Sequence, residues 1–489
     1  MFIAAILLPI LLGALLPLWR FKTDRSRGIY VMISVAITFV LSLYQILWGG
    51  DAQETLFHIT ETLPIAFKLD GVGRVFATII TGLWPLCSLY ALEYMEEEEN
   101  KDSFFSFYTM CFGVTLGIAC SANLMTLYLF YELLTLATVP LVMHGGSQKS
   151  IRAGLQYLYY SIGGAALTFI GLMFVVYYGG TSDFRYGGLL AFTQIAESMD
   201  THTINNLRIG YFICFVGMSV KAAVFPLHAW LPAASVAPTP VTALLHAVAV
   251  VKSGVFAILR ATWFTFGPAL LAGSWAQSIP LAMVVFTISF GCAMALKDQN
   301  IKRRLAYSTV SNLSYILLGV LLLTPEGLRA GMMHMVYHAL MKITLFLCAG
   351  VYLLKKIIYV QDMRGIHTAM PLVTAVFTLG GLALTGIPPL LGFSSKWALG
   401  MFSVAKGGFL PLMGVVSLII SATLTAFYML VPAVSAYSSK ALRPYKPREL
   451  APGWKAASVL VILSVVMLVI SFYPTPLVDY LTAASSGRI

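Results

Sequence analysis

The chain has 489 residues, of which 59% are hydrophobic and only 10% charged, and its mean hydropathy is +0.84. Soluble domains carry about a quarter charged residues, so a surface of this composition cannot be hydrated and must face lipid. The net charge of +11 does not indicate nucleic acid, because the basic residues fall mostly in short loops between apolar runs, as membrane topology requires.

In chain order, fourteen stretches are long enough to span a bilayer. They lie near residues 2 to 19, 29 to 48, 72 to 92, 104 to 120, 123 to 143, 155 to 178, 209 to 230, 239 to 264, 278 to 296, 305 to 323, 327 to 354, 371 to 400, 409 to 436 and 454 to 473. The first, "MFIAAILLPILLGALLPLWRFK", carries its basic residues after the apolar run, which predicts a spanning helix rather than a cleaved signal. Only "CSAN" separates the fourth and fifth stretches. Loops after odd-numbered helices hold nineteen Lys and Arg residues against eight on the other side, placing odd loops in the cytoplasm and both termini outside. The acidic "MEEEEN" after the third stretch reads as a solvated loop.

Four lysines remain inside apolar helices: Lys221, Lys252, Lys342 and Lys396. A lysine near mid-bilayer costs at least about 3 kcal/mol on insertion scales, so such residues face a protein interior or a water-filled path. Glu132, in "LYLFYELLTLATVP", is the carboxylate that completes the set, and Lys221 is a plausible partner on a neighbouring helix. One such pair is compatible with helix packing alone. Five intramembrane charges and several histidines point to ion movement.

The helices that carry two of these lysines are interrupted. Pro226 follows Lys221 by five residues, and Pro388 and Pro389 precede Lys396 in "TGIPPLLGFSSKW". Proline frees a backbone carbonyl, which a membrane tolerates only where protein or water satisfies it, so a broken helix in each half marks an ion path. The breaks predict two repeats of five helices, the fourth to eighth and the ninth to thirteenth, inverted because each repeat has an odd number of helices. The expected fold is thus an all-α polytopic membrane protein with broken seventh and twelfth helices. Its expected parts are residues 1–102 (helices one to three), 103–264 (first repeat), 265–436 (second repeat) and 437–489 (a cytoplasmic loop and the last helix).

In "HMVYHALMKITLF", His334, His338 and Lys342 are four residues apart, which keeps them on one helix face at about 6 Å per step. An imidazole donates at one nitrogen and accepts at the other, so this stripe suits proton relay. His246 and Lys252, six apart in "ALLHAVAVVKSG", do not share a face of a regular helix; either a bulge realigns them or they meet different neighbours. Metal ligation by the His-xxx-His pair is disfavoured, since a lysine follows on the same face and no Asp or Glu is near. The six cysteines stand singly, so no iron–sulfur cluster, zinc site, disulfide or other cofactor is expected.

With these motifs in view, the chain resembles the antiporter-like subunits of respiratory complex I, Mrp-type multisubunit cation/proton antiporters and membrane-bound energy-converting hydrogenases. The resemblance rests on "KAAVFPLHAWLPAASVAPTPVTALLHAVAVVKSG" (Lys221 to Gly254), "NIKRRLAYSTVS" (Asn300 to Ser311), "HMVYHALMKITLF" and "LTGIPPLLGFSSKW". The "APTPVTALLHAVAVVK" wording is nearest the Mrp D-type and hydrogenase-associated members. The resemblance implies a mid-membrane polar axis in which Glu132 and Lys221 form the first ion pair, Lys252 bridges, His334, His338 and Lys342 relay, and Lys396 handles the ion at the twelfth helix. It also implies work inside a larger assembly, with homologous and small membrane subunits, a possible hydrophilic redox arm, and protons or sodium as cargo; no redox centre is expected in this chain. Asn300 and Ser314 depart from the aspartate and glycine common in the family. The competing expectations are a gradient-driven Na+/H+ antiporter subunit without a redox partner, a quinone- or haem-binding membrane subunit, and a passive scaffold.

Overall fold

The computed structural model describes residues 2–19, 21–50, 52–60, 63–189, 200–438, 446 and 448–489. Apolar runs of this length have no option but helix in lipid, where each backbone N–H and C=O must be paired within its own segment. The helices are α1 (Phe2–Leu15), α2 (Asp24–Trp48), α3 (Gly71–Tyr94), α4 (Lys101–Ala119), α5 (Leu124–Met143), α6 (Gln148–Gly179), α7 (Thr201–Lys221), α8 (Thr239–Ala247) and α9 (Val250–Arg260). They continue with α10 (Trp275–Lys297), α11 (Ile301–Leu321), α12 (Pro325–Leu354), α13 (Pro371–Thr385), α14 (Leu391–Lys406), α15 (Phe409–Ala436), α16 (Trp454–Phe472) and α17 (Thr475–Ser485). Among the described residues, ten helical stretches are long and apolar enough to cross a membrane on their own. The "CSAN" junction is a real boundary, where the Asn123 side chain caps α5 by accepting from Thr126 N at 2.7 Å.

The expectation of an all-α chain is corrected by a hairpin. Strands β1 (Glu54–Thr60) and β2 (Leu63–Phe67) pair antiparallel, with Glu54 opposite Phe67 and two irregularities in register. Ile65, Ala66 and Phe67 are fully buried, and Ala66 N donates to Thr126 Oγ1 at 2.9 Å, so the hairpin seals the α4–α5 junction.

Burial sorts the helices by what they carry. Within the apolar windows, the stretch from Thr239 to Phe266 is 100% buried and α12 is 89% buried, whereas the windows of α1, α2 and α16 are 28–33% buried. The most buried of these stretches carry Lys252 and Lys342, as the cost of exposing an ammonium group to lipid dictates. Helix α12 is central, packing against α3, α8, α11, α13, α14, α16 and α17.

Both proline breaks are present. Helix α7 ends at Lys221 itself, and turns lead to a short helix at Trp230–Ala233; the interruption thus starts at the lysine, before Pro226. Helices α13 and α14 are separated at Gly386, which takes φ +88°, and by Pro388 and Pro389. A third interruption falls between His246 and Lys252, where their spacing left a bulge as one of two alternatives. The stretch predicted as one helix from 239 to 264 is broken at Val248 and Ala249, between α8 and α9.

Candidate functional site

The site begins where α7 stops. Lys221 is fully buried, and its ammonium lies 3.5 Å from Glu132 Oε1 on α5. It also donates to the Tyr131 carbonyl and sits 3.4 Å from the Tyr131 ring centroid, so one cation is held by a carboxylate, a carbonyl and a π face. The sequence suggests this pair, and the fold brings it together. Glu132 remains 24% exposed at its side chain. The carbonyl that the break frees at Val220 accepts from Trp230 Nε1 at 2.7 Å. Gly254 lets α9 press against this turn, for a Cβ there would stand 2.4 Å from Ala222 N.

The break between α8 and α9 answers the question left by the spacing of His246 and Lys252. It turns both side chains toward α12 at different heights. The His246 ring packs on Phe346 at 4.8 Å, and Lys252 Nζ donates to His338 Nδ1 at 2.7 Å. Accepting at Nδ1 leaves the His338 ring proton on Nε2. Among the described residues, that atom and both ring nitrogens of His246 are buried without a protein hydrogen-bond partner. Buried polar groups of this kind are the sites that ordered water fills.

From His338 the stripe on α12 runs two ways. The His334 and His338 rings are 6.0 Å apart, and His334 meets Ser395 Oγ of α14 at 2.9 Å and Asn312 Oδ1 of α11 at 3.2 Å. Ser395 is the neighbour of Lys396, so His334 is the imidazole nearest that lysine's helix. Lys342 points to α11, donating to Ser308 Oγ and, at 2.9 Å, to the Leu305 carbonyl. Direct hydrogen bonds thus join Lys252 to His338 and His334 to Ser395, the residue before Lys396, while His338 and His334 meet as rings 6.0 Å apart and Lys342 turns to α11.

Lys396 fills the second break. Its ammonium donates to the Leu384 carbonyl at 2.6 Å and the Thr385 carbonyl at 2.9 Å, the groups freed where α13 ends, and lies 5.6 Å from the Tyr315 ring centroid. The lysine thus satisfies the backbone that the prolines interrupted. Among the described residues, no hydrogen bond joins Lys221 to Lys252, so the first ion pair and the imidazole stripe are adjacent but not in direct contact.

Three buried cations escape a reading of the sequence because they stand at the ends of apolar runs, where they count as loop charges. Arg260 is 1% exposed and paired with Asp70; Lys302 donates to the Ala237 carbonyl at 2.6 Å; Arg304 donates to the Tyr428 carbonyl at 2.9 Å. The polar face of α11 does carry a signal, since Ser308, Ser311, Asn312 and Tyr315 recur at helical intervals and mark one side of that helix. Asn300 caps α11 by accepting from Arg303 N at 3.1 Å, the local task that an aspartate would also perform.

The sequence and the fold both match known proteins. A transmembrane family model described as NADH:quinone oxidoreductase/Mrp antiporter matches residues 121–425. A second, described as NADH-ubiquinone oxidoreductase (complex I), chain 5 N-terminus, matches residues 58–105. The chain is 29% identical to NAD(P)H-quinone oxidoreductase subunit 5, organellar chromatophore 1, of Paulinella chromatophora, over 91% of this chain and 70% of that one. It is also 29% identical to the chloroplastic subunit 5 of Zea mays, over 82% of this chain and 54% of that one. The chain therefore spans only about half of the chloroplast relative's length. In fold it resembles a chain of the archaeal membrane-bound sulfane sulfur reductase (TM-score 0.85, 22% identity, 99% of this chain and 97% of that one). It likewise resembles chains of the Mrp complex from a Dietzia species (TM-score 0.84, 20% identity, 99% and 96%) and of respiratory complex I from Thermus thermophilus (TM-score 0.82, 23% identity, 99% and 98%).

Proposed function

Because the chain belongs to the NADH:quinone oxidoreductase/Mrp antiporter family of multi-pass membrane proteins, we propose that it translocates protons, as one subunit of a larger membrane complex, along the Glu132–Lys221–Lys252–His338–His334–Lys396 axis. His246 borders this axis and Lys342 branches from it. The reading assigns fourteen spans, two inverted five-helix repeats (residues 103–264 and 265–436) between the first three helices and the last, and both termini to the outer side of the cell membrane. The single observation that carries it is the 2.7 Å contact of Lys252 with His338, which joins the two halves through a pair of buried, protonatable nitrogens.

The chemistry follows from charge in a low-dielectric place. Lys221 holds a proton while Glu132 is beside it. When the pair separates, an ammonium without its counter-charge is disfavoured by desolvation, and its proton passes through water to Lys252. Lys252 hands it to His338 Nδ1 and the ring releases the proton on Nε2; His334 takes it up at Nδ1, its Nε2 proton staying in the bond to Asn312 Oδ1, and gives it up again from Nδ1 toward Ser395 and Lys396. The partly exposed Glu132 supports a neighbouring membrane subunit as partner, because lipid is a poor cover for a carboxylate. Exchange against sodium and a redox arm remain within the reading as properties of the complex.

The test uses the assembled complex in vesicles with a pH-sensitive dye inside. Lys221→Ala is expected to lower proton transport about a hundredfold with assembly intact, the low end of the scale on which positioned proton-transfer groups act. Undiminished transport by that variant refutes the reading.

A further inference from the structure

Behind the imidazole stripe lies a second set of buried polar groups that the axis does not use. Cys292 of α10, Ser308, Ser311 and Tyr315 of α11, and Ser421, Thr425 and Tyr428 of α15 are all 0–1% exposed. Ser421 Oγ receives the Tyr315 hydroxyl at 2.5 Å, stands 2.7 Å from Cys292 Sγ and lies 3.1 Å from Ser311 Oγ. Cys292 Sγ is 3.7 Å from Thr425 Oγ1, which donates to the Tyr428 hydroxyl at 3.2 Å. Arg304, one turn before Ser308 on α11, donates to the Tyr428 carbonyl at 2.9 Å, and Ser308 accepts from Lys342. At the far end the Tyr315 ring underlies Lys396.

Each buried hydroxyl costs about 1–3 kcal/mol unless paired, so seven polar side chains are more than three packed helices need. All are O–H or S–H groups, and each such group both donates and accepts. The two ends of the series are lysines, Lys342 donating to Ser308 and Lys396 standing 5.6 Å from the Tyr315 ring centroid.

We propose that this hydroxyl–thiol cluster is a second proton conduit from Lys342 to Lys396, running through Ser308, Tyr428, Thr425, Cys292, Ser421 and Tyr315 and bypassing His334. It rests on the proton-translocating reading above. The Lys342 ammonium gives one proton to Ser308 as Ser308 passes its own to Tyr428, and the shift continues until Tyr315 delivers a proton to a neutral Lys396 amine. Only N–H, O–H and S–H bonds form and break; no electrons leave the series, and rotation of the hydroxyls resets it. His338, one turn from Lys342 on α12, feeds both routes. His334 serves one alone.

The experiment compares proton transport by the assembled complex in vesicles carrying His334→Ala, Cys292→Ala, both together, and His334→Ala with Cys292→Ser. His334→Ala is expected to lose about fivefold, Cys292→Ala at most about twofold, and the double about fiftyfold or more, well beyond the product of the single losses, a non-additivity that parallel routes require. Cys292→Ser, which keeps a donor and acceptor, is expected to restore the rate of His334→Ala alone. A double variant that loses only the product of the single losses overturns the conduit, as does a serine no better than alanine. Where Cys292→Ala prevents assembly, Tyr428→Phe takes its place, removing one hydroxyl and keeping the ring. Lys221→Ala measured alongside separates the two failures: undiminished transport there defeats the parent reading, while its loss together with an additive double variant defeats the conduit alone.

Discussion

Replacing Lys252 by methionine is expected to reduce proton transport by the assembled complex at least about a hundredfold, to the leak of the vesicle, because the group that passes protons between the two halves is gone. Methionine keeps the length and apolar stem of lysine but can neither hold nor donate a proton. Among the described residues, no other side chain from α5 to α9 hydrogen-bonds an imidazole of α12, so no second contact takes over. Stability argues the other way. A buried ammonium is costly to desolvate, and an apolar replacement of similar volume is commonly neutral or stabilising. The thermal midpoint of the complex is therefore expected to hold or rise while transport disappears, and calorimetry beside the vesicle assay separates loss of function from loss of structure.

Asp70→Ala is expected to cost about 3 kcal/mol of stability, measured as a lower unfolding midpoint, since it strands a buried guanidinium. Arg260 at the end of α9 meets Asp70 in two hydrogen bonds of 2.5 and 2.6 Å, with Phe184, Phe256 and Phe264 around it at 4.7–5.0 Å. The same carboxylate caps α3 by accepting from Gly73 N at 2.8 Å, so its loss also frees a helix terminus. Burial pushes the Asp70 carboxyl up, and the Arg260 guanidinium more than reverses this, holding it below the usual aspartate range. A lowered folded value means that the pair's contribution is present above the unfolded aspartate pKa and is lost as pH falls through the folded one. Acid is thus expected to narrow the gap between wild type and Asp70→Ala.

The apolar runs are legible because lipid allows so few structures, and the two proline breaks because proline states its effect on the backbone. The interruption at Val248 and Ala249 carries no backbone mark, since "HAVAVVK" contains neither glycine nor proline; only the six-residue spacing of His246 and Lys252 leaves room for it. The hairpin is masked by its short strands between two strong helical signals. Arg260, Lys302 and Arg304 are misplaced for a geometric reason, since a long side chain at a helix end can reach inward as easily as outward. Spacing puts His334, His338 and Lys342 on one face, yet their partners depend on how α11 and α14 are rotated about their own axes. That rotation is a property of packing, and it is why His334, not Lys342, contacts the residue beside Lys396.

The central claim is that buried nitrogens from Lys221 to Lys396 form one connected path. A density map of the intact complex that resolves ordered water tests it most directly. The account predicts waters bridging Lys221 to Lys252 and others at His246 and at His338 Nε2, so that no polar step from Glu132 to Lys396 is left open. Tight apolar packing between Lys221 and Lys252, with no water in the gap, would contradict it.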